Sequence, residues 1–244
     1  MQSCSILGVE ISEVNMQILV NFTTENIKKI SNEYICVSNV HTTVMSYEDK
    51  SYRDIQNGAI LAIPDGGPLS SVGRKRGYKK MQRTTGPSYM EEIFKISAKK
   101  GYRHYFYGST EETLDKLFGK LTENYPGIQI AGMYSPPFRP LTNEEDEQIT
   151  NRINEAKSDF VWVGLGAPKQ EKWMAEHKGE VKGLMVGVGA GFDYFAENIS
   201  RAPMWMQKSN LEWLYRLIQE PKRLFTRYMI TNTKFIWNAV IRGK

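Results

Sequence analysis

The chain has 244 residues, of which 41% are hydrophobic and 24% charged, with a formal net charge of +5. That length suits one sizeable α/β domain, or one domain with an appendage. Two cysteines, Cys4 and Cys36, argue against a disulfide framework, and His41, His104 and His177 offer no zinc spacing. Residues 1–8 lack a basic stretch followed by a long apolar one, and no run approaches the length of a membrane span, so a cytosolic chain is expected.

In chain order, Ile6 to Val9 and Ile11 predict a short strand–turn opening. The spacing of Ile18, Leu19, Phe22, Ile27 and Ile30 predicts a helix from Met16 to Ile30. Tyr34 to Val37 is the first strongly β-forming run. It ends in the polar cluster Ser38 to Thr43, at a strand end, where doubly wound sheets place their ligands. A helix is expected from about Val44 to Asn57, then a second core strand from Ala59 to Ile63 running into Pro64-Asp65-Gly66-Gly67-Pro68. A carboxylate in such a turn reads either as an Asx-turn or helix cap, or as a general base desolvated toward a useful pKa. The basic run Gly73 to Lys80 reads as a solvated loop, with Arg83 an exception if the loop folds over an anionic ligand.

Tyr89 to Lys99 is amphipathic, and Tyr102 to Tyr107 reads as a strand. Gly108 leads to a helix ending near Asn124, with Ser109 or Thr110 as its cap. Gly127 to Ala131 is a further strand. Thr142-Asn-Glu-Glu145 fits a capping box for a helix reaching Lys157, and the acidic cluster Glu144 to Glu147 reads as charge placed at a helix start rather than as a metal site.

Val161 to Trp173 reads as a buried strand breaking into a glycine-rich turn and then a helix, with Pro168 suited to the first helical turn. Unpaired N–H groups at such a helix start suit a diphosphate or a developing oxyanion, and Gln170 and Glu171 stand where polar side chains reach what the turn holds. Gly183 to Val186 predicts the last strand, followed by a second glycine-rich turn from Gly187 to Asp193. These glycines fall late in the chain, unlike a dinucleotide fingerprint, which makes a nucleotide-dependent oxidoreductase the weaker alternative. Six strand–helix alternations predict an α/β fold with a Rossmann-like parallel-sheet core, helices on both faces, over residues 1–200.

Residues 201–244 predict a basic helical appendage. From residue 202 onward there are eight Lys or Arg against two acids, Glu212 and Glu220, and three of the five tryptophans. A helix is expected from Trp205 to Glu220, ended or kinked by Pro221. Basic residues interleaved with aromatic ones suit anionic lipid headgroups or a phosphorylated substrate. A non-catalytic protein that binds membranes or nucleic acid is therefore the second alternative.

Taken together, Pro64-Asp-Gly-Gly67, Gly164-Leu-Gly-Ala-Pro-Lys-Gln-Glu-Lys-Trp173, Gly187-Val-Gly-Ala-Gly-Phe-Asp193, Arg201-Ala-Pro203 and Leu211-Glu-Trp-Leu-Tyr-Arg-Leu217 resemble the WecG/TagA/CpsF glycosyltransferase family over nearly the whole chain. The resemblance implies an inverting, metal-independent enzyme without a cofactor. Its implied donor is a UDP-sugar, with N-acetylmannosamine the first choice of sugar. The implied acceptor is a polyprenyl-diphosphate-linked sugar, used in teichoic acid or other cell-surface polysaccharide synthesis. It further implies a peripheral position on the cytoplasmic face of the cell membrane, met by the appendage, with no nucleic-acid partner; a homo-oligomer is left open.

By the same resemblance Asp65 is the expected base, and Asn39 and Gln170 hold sugar hydroxyls. Gly66, Gly86, Gly164, Gly166, Gly187, Gly189 and Asp193 are expected around the substrate. Arg83, with Arg201, Arg216, Arg223 and Arg227 of the appendage, is expected to meet phosphate charge. Three positions depart from the family pattern: Val37, where some relatives have threonine; Ser88, where an acid is frequent; and Ala196-Glu-Asn198, where a glycine is common.

Overall fold

The structure is a computed structural model that describes residues 1–209 and 211–244, with the side chains of Lys208 and Arg223 outside the described set. It opens with an antiparallel hairpin, β1 (Ser3–Ile6) and β2 (Val9–Ser12). Helix α1 (Met16–Asn26) follows, its first turn capped by Asn15, which accepts from the Ile18 N–H at 2.9 Å.

Then come β3 (Tyr34–Ser38), α2 (Val40–Glu48), α3 (Lys50–Gly58), β4 (Leu61–Pro64) and α4 (Gly67–Lys75). The single helix expected over 44–57 is two. Asp49 between them is extended at φ −122°, and its carboxylate accepts from the Ser51 N–H at 2.8 Å, so it ends one helix and caps the next. The basic run is likewise not a solvated loop. Its first half is the end of α4, and Arg76 donates to the carbonyls of Ser5, of Ala239 at 3.0 Å and of Lys244 at 2.7 Å, joining the two ends of the chain.

The second half contributes α5 (Gly86–Lys100), β5 (Arg103–Gly108), α6 (Glu111–Asn124), β6 (Gln129–Tyr134), α7 (Asn143–Glu155), β7 (Phe160–Gly164), α8 (Lys169–Glu176), β8 (Leu184–Gly187) and α9 (Gly191–Phe195). Thr110 caps α6, and Thr142 and Glu145 form the capping box of α7. In the acidic cluster at that helix start, Asp146 also accepts from Trp173 Nε1 at 3.1 Å and pairs with His177 Nε2 at 3.0 Å, tying α7 to α8.

The six strands β3 to β8 form one parallel sheet in the order β4-β3-β8-β7-β5-β6. Helices cover both faces, so the strands are apolar in nearly every position rather than in alternate ones. Ile35, Val37, Phe106, Trp162 and Val186 pack with α1, α5, α6 and α9; Tyr34, Cys36, Tyr107, Val163 and Met185 pack with the hairpin, α2, α4, α7 and α8.

Beyond residue 200 the expected single helix is broken into α10 (Met204–Lys208) and α11 (Glu212–Gln219). Pro221 opens α12 (Pro221–Phe235), where its missing N–H costs nothing, and a π-helical turn spans Ile236–Ile241. Phe235 and Ala239 join the buried cluster formed by the hairpin and one face of the sheet, and α12 lies along α2. Among the described residues, no helix is long and apolar enough to cross a membrane.

Candidate active site

Because β4, β3, β8 and β7 are neighbours, the loops leaving their C-terminal ends converge on one place. There lies a cavity of about 800 Å³. Its floor is Asn39 after β3, Asp65 and Gly66 after β4, Gly166 after β7, and Gly187 and Gly189 at the end of β8. Its far wall is Tyr194 of α9, Glu212 and Arg216 of α11, and Arg227 of α12.

Asn39 is the cap of α2. Its Oδ1 accepts from the His41 N–H at 3.0 Å and the Thr42 N–H at 3.1 Å, while Thr42 Oγ1 accepts from the Asn39 N–H at 2.9 Å. With the oxygen committed to the helix, the side-chain NH2 is left to donate, and its influence on the Asp65 carboxyl is to draw it down. Asp65 is fixed through its backbone N–H, which donates to the Ser38 carbonyl at 2.7 Å. Burial pushes its carboxyl up to about 6, against the Arg83 charge, the Asn39 hydrogen bond and the Arg216 charge, which draw it down.

The Thr84 N–H donates to the Pro64 carbonyl at 2.8 Å, and this brings the Arg83 loop back over β4. The Arg83 guanidinium forms an ion pair with Glu212. Arg216 pairs with Glu220 at 3.6 Å and lies over the Tyr194 ring, 5.4 Å from its centroid. The Tyr194 hydroxyl is held above its usual range by burial, with Arg216 opposing and Asp65 adding to the shift. His41 also lines the cavity, where burial and then Arg227 lower its basicity.

The glycine turns are held by one side chain. Gln170 Oε1 accepts from the Gly166 N–H at 3.2 Å and from the Gly189 N–H at 3.0 Å, bridging the turns after β7 and β8. Gly166 sits at φ +78°, which a side chain would strain. A Cβ on Gly187 would lie 2.8 Å from Met174 Cε and 3.0 Å from Gln170 Nε2. These two glycines are therefore required by backbone conformation and by close approach respectively.

Of the residues singled out in the sequence, Asn39, Asp65, Gly66, Arg83, Gly166, Gln170, Gly187, Gly189, Arg216 and Arg227 meet at the cavity. Four do not line it. Gly164 lies against the Phe192 ring, where a Cβ would be 2.7 Å away, and Gly86 starts α5 against the Val188 backbone. Asp193 accepts from Asn198 Nδ2 at 3.3 Å. Arg201 pairs with Glu91 at 2.8 Å and borders a separate small cleft on the other side of Arg83. The side chain of Arg223 lies outside the described residues. Sequence reading did not give His41, Tyr194 or Glu212 a role, although Glu212 is one of only two acids in the basic C-terminal stretch.

A parallel α/β sheet with a carboxylate, arginines and glycine turns at adjoining strand ends is the kind of pocket in which α/β enzymes take anionic, hydroxyl-bearing ligands. The chain belongs to the glycosyl transferase WecG/TagA/CpsF family, whose model matches residues 4–244. It is similar to the N-acetylglucosaminyldiphosphoundecaprenol N-acetyl-beta-D-mannosaminyltransferase of Bacillus subtilis (strain 168), with 31% identity over 190 residues, covering 78% of this chain and 72% of that one. It is 29% identical over 226 residues to the protein of the same name from Staphylococcus aureus (strain MW2), covering 90% of this chain and 85% of the relative.

Proposed function

We propose that this protein is an inverting glycosyltransferase that moves a sugar, N-acetylmannosamine as first choice, from a UDP-sugar to a polyprenyl-diphosphate-linked sugar during teichoic acid or other cell-surface polysaccharide synthesis. The observation that carries this reading is Asp65: a carboxylate raised to about 6, fixed at a strand end beside Arg83 and Arg216 in a cavity large enough for a nucleotide sugar. The relatives' name supplies the acceptor and the donor sugar.

In this reading Asp65 takes the proton from the acceptor hydroxyl as that oxygen attacks C1 of the donor sugar. The bond from C1 to the diphosphate breaks on the opposite side, so the anomeric centre inverts. UDP leaves with one more negative charge, which Arg83, Arg216 and Arg227 are placed to stabilise. The glycine turns, with Gly166 and Gly189 at positive φ, suit the nucleotide. The basic, aromatic C-terminal helices would bring the site to the cytoplasmic face of the membrane, where the lipid-linked acceptor resides.

The experiment is UDP release from a panel of UDP-sugars, with and without a lipid-diphosphate N-acetylglucosamine acceptor and in the presence of a chelator. Acceptor-dependent release from one donor is expected. Release that ignores the acceptor, or none from any donor, would overturn the reading.

A further inference from the structure

Gln170 is held by a buried hydrogen bond to Glu171 that the proposed chemistry does not use. Its amide Nε2 donates to Glu171 Oε1 at 2.8 Å. The Tyr52 hydroxyl lies near the same carboxyl, whose Oε2 is buried without a hydrogen-bond partner; Gln56 Nε2 donates to the Tyr52 oxygen at 3.2 Å, and Ser38 Oγ donates to Gln56 Oε1 at 2.6 Å. Every member is buried: Ser38 is 0% exposed, Tyr52, Gln56 and Glu171 1%, and Gln170 4%. This row of buried polar groups lies beneath the cavity floor between the end of β3 and the turns after β7 and β8.

An amide can face either way, and here the choice matters. Reversed, Gln170 would turn an NH2 toward the Gly166 and Gly189 N–H groups, leaving two donors without an acceptor and a donor–donor contact in their place. What forbids the reversal is the carboxyl of Glu171, because a carboxylate oxygen can only accept from the group facing it.

We propose that Glu171 is a positioning residue that acts through Gln170: by accepting from the Gln170 amide it fixes the direction of that amide, and so holds the two glycine turns at the separation of the donor pocket. Its importance for turnover rests on the glycosyltransferase reading above. Its effect on the two turns does not. Keeping an acid so deeply buried is costly, and burial does push its carboxyl up, as expected for a group retained for what it orients.

The test compares Glu171→Gln, Glu171→Asp and Glu171→Leu in the full chain, reading amide hydrogen exchange at Gly166 and Gly189 by NMR without ligand, and then steady-state kinetics. The Gln variant keeps an acceptor oxygen at the right reach. The Asp variant keeps the charge but is one methylene short. The clamp predicts exchange within about threefold of wild type for Gln, and about tenfold faster exchange at both glycines for Asp and Leu. It also predicts kcat following the same order, with a smaller change in the acceptor KM.

A residue needed only as a buried charge gives the reverse order, Asp above Gln, and that order overturns the proposal. So does wild-type exchange at both glycines in the Leu variant. If the Leu variant does not fold, the Gln and Asp pair still decides. If wild type transfers no sugar, the glycosyltransferase reading fails while the exchange order still judges the clamp.

Discussion

Burial raises the Asp65 carboxyl to about 6, so at neutral pH it is mostly ionised and able to take a proton. With Asp65 as the base proposed above, the rate should climb with pH through a midpoint near 6 and level off above it, seen in kcat/KM across pH 5 to 8. Asp65→Asn should lose this limb and about 10²- to 10⁴-fold in turnover while binding UDP nearly as well. The same shift has a cost in stability. The folded pKa lies above the ordinary value of 3.8, so the ionised form is disfavoured by folding; the penalty is full above about pH 6 and fades as pH falls toward 4. Asp65→Asn should accordingly melt at a higher temperature than wild type at pH 8, with the gap narrowing at pH 5. An Asn variant that melts lower at pH 8 would mean that the carboxylate is held by its neighbours more than it is penalised by burial. In the sequence Asp65 stood out because it follows an apolar run and precedes two glycines. Its partners Asn39, Arg83 and Arg216 come from three different elements, so it was the family resemblance rather than local spacing that grouped them with it.

At the level of elements, most strands and helices were legible from spacing and caps, and the misses have local causes. The helix over 44–57 breaks because Asp49 caps better than it propagates, as its hydrogen bond to the Ser51 N–H shows. Helix α4 was hidden by the glycines and basic residues that surround it. Helix α11 was readable from Trp213, Leu214, Leu217 and Ile218, but which face turns inward was not. The structure turns Glu212 and Arg216 to the cavity and leaves Ile218 69% exposed. The inward Glu212 has a consequence for binding, because its carboxylate pairs with the Arg83 guanidinium that the proposed chemistry assigns to phosphate. A diphosphate entering the cavity must compete with it. Glu212→Gln should remove the competing charge and tighten UDP binding about three- to tenfold by calorimetry, with the gain shrinking as salt is raised. Weaker UDP binding in this variant would show instead that Glu212 holds Arg83 in the geometry that phosphate needs.

Across the whole molecule, strand–helix alternation was enough to predict the parallel sheet, whereas the packing of residues 231–239 against the hairpin and sheet rests on contacts between opposite ends of the chain that no local pattern encodes. Those contacts leave one side of the C-terminal helices outward and apolar. Phe225 and Met229 lie one turn apart, with Ile230, Trp237 and Ile241 further along, all half exposed or more, while Ile236 and Val240 edge the cavity. Arg242 stands over the Trp237 ring, 5.7 Å from its centroid, which puts charge at the edge of this apolar strip. Under the membrane-bound reading proposed above, such a strip would bury its side chains among the acyl chains while its cations meet the headgroups. The cavity opens between this same helix and the sheet, so docking would bring the acceptor's diphosphate and the site to the same level. If so, replacing Phe225, Trp237 and Ile241 together by serine should weaken binding to phosphatidylglycerol vesicles by about tenfold or more, since each buried side chain contributes about 1.5–3 kcal/mol. UDP affinity should not change, because none of the three lines the cavity. Transfer to a short-chain acceptor free in solution should also survive, while transfer to acceptor embedded in vesicles falls. Equal loss with both acceptors would instead place the strip's importance in the fold of the C-terminal helices.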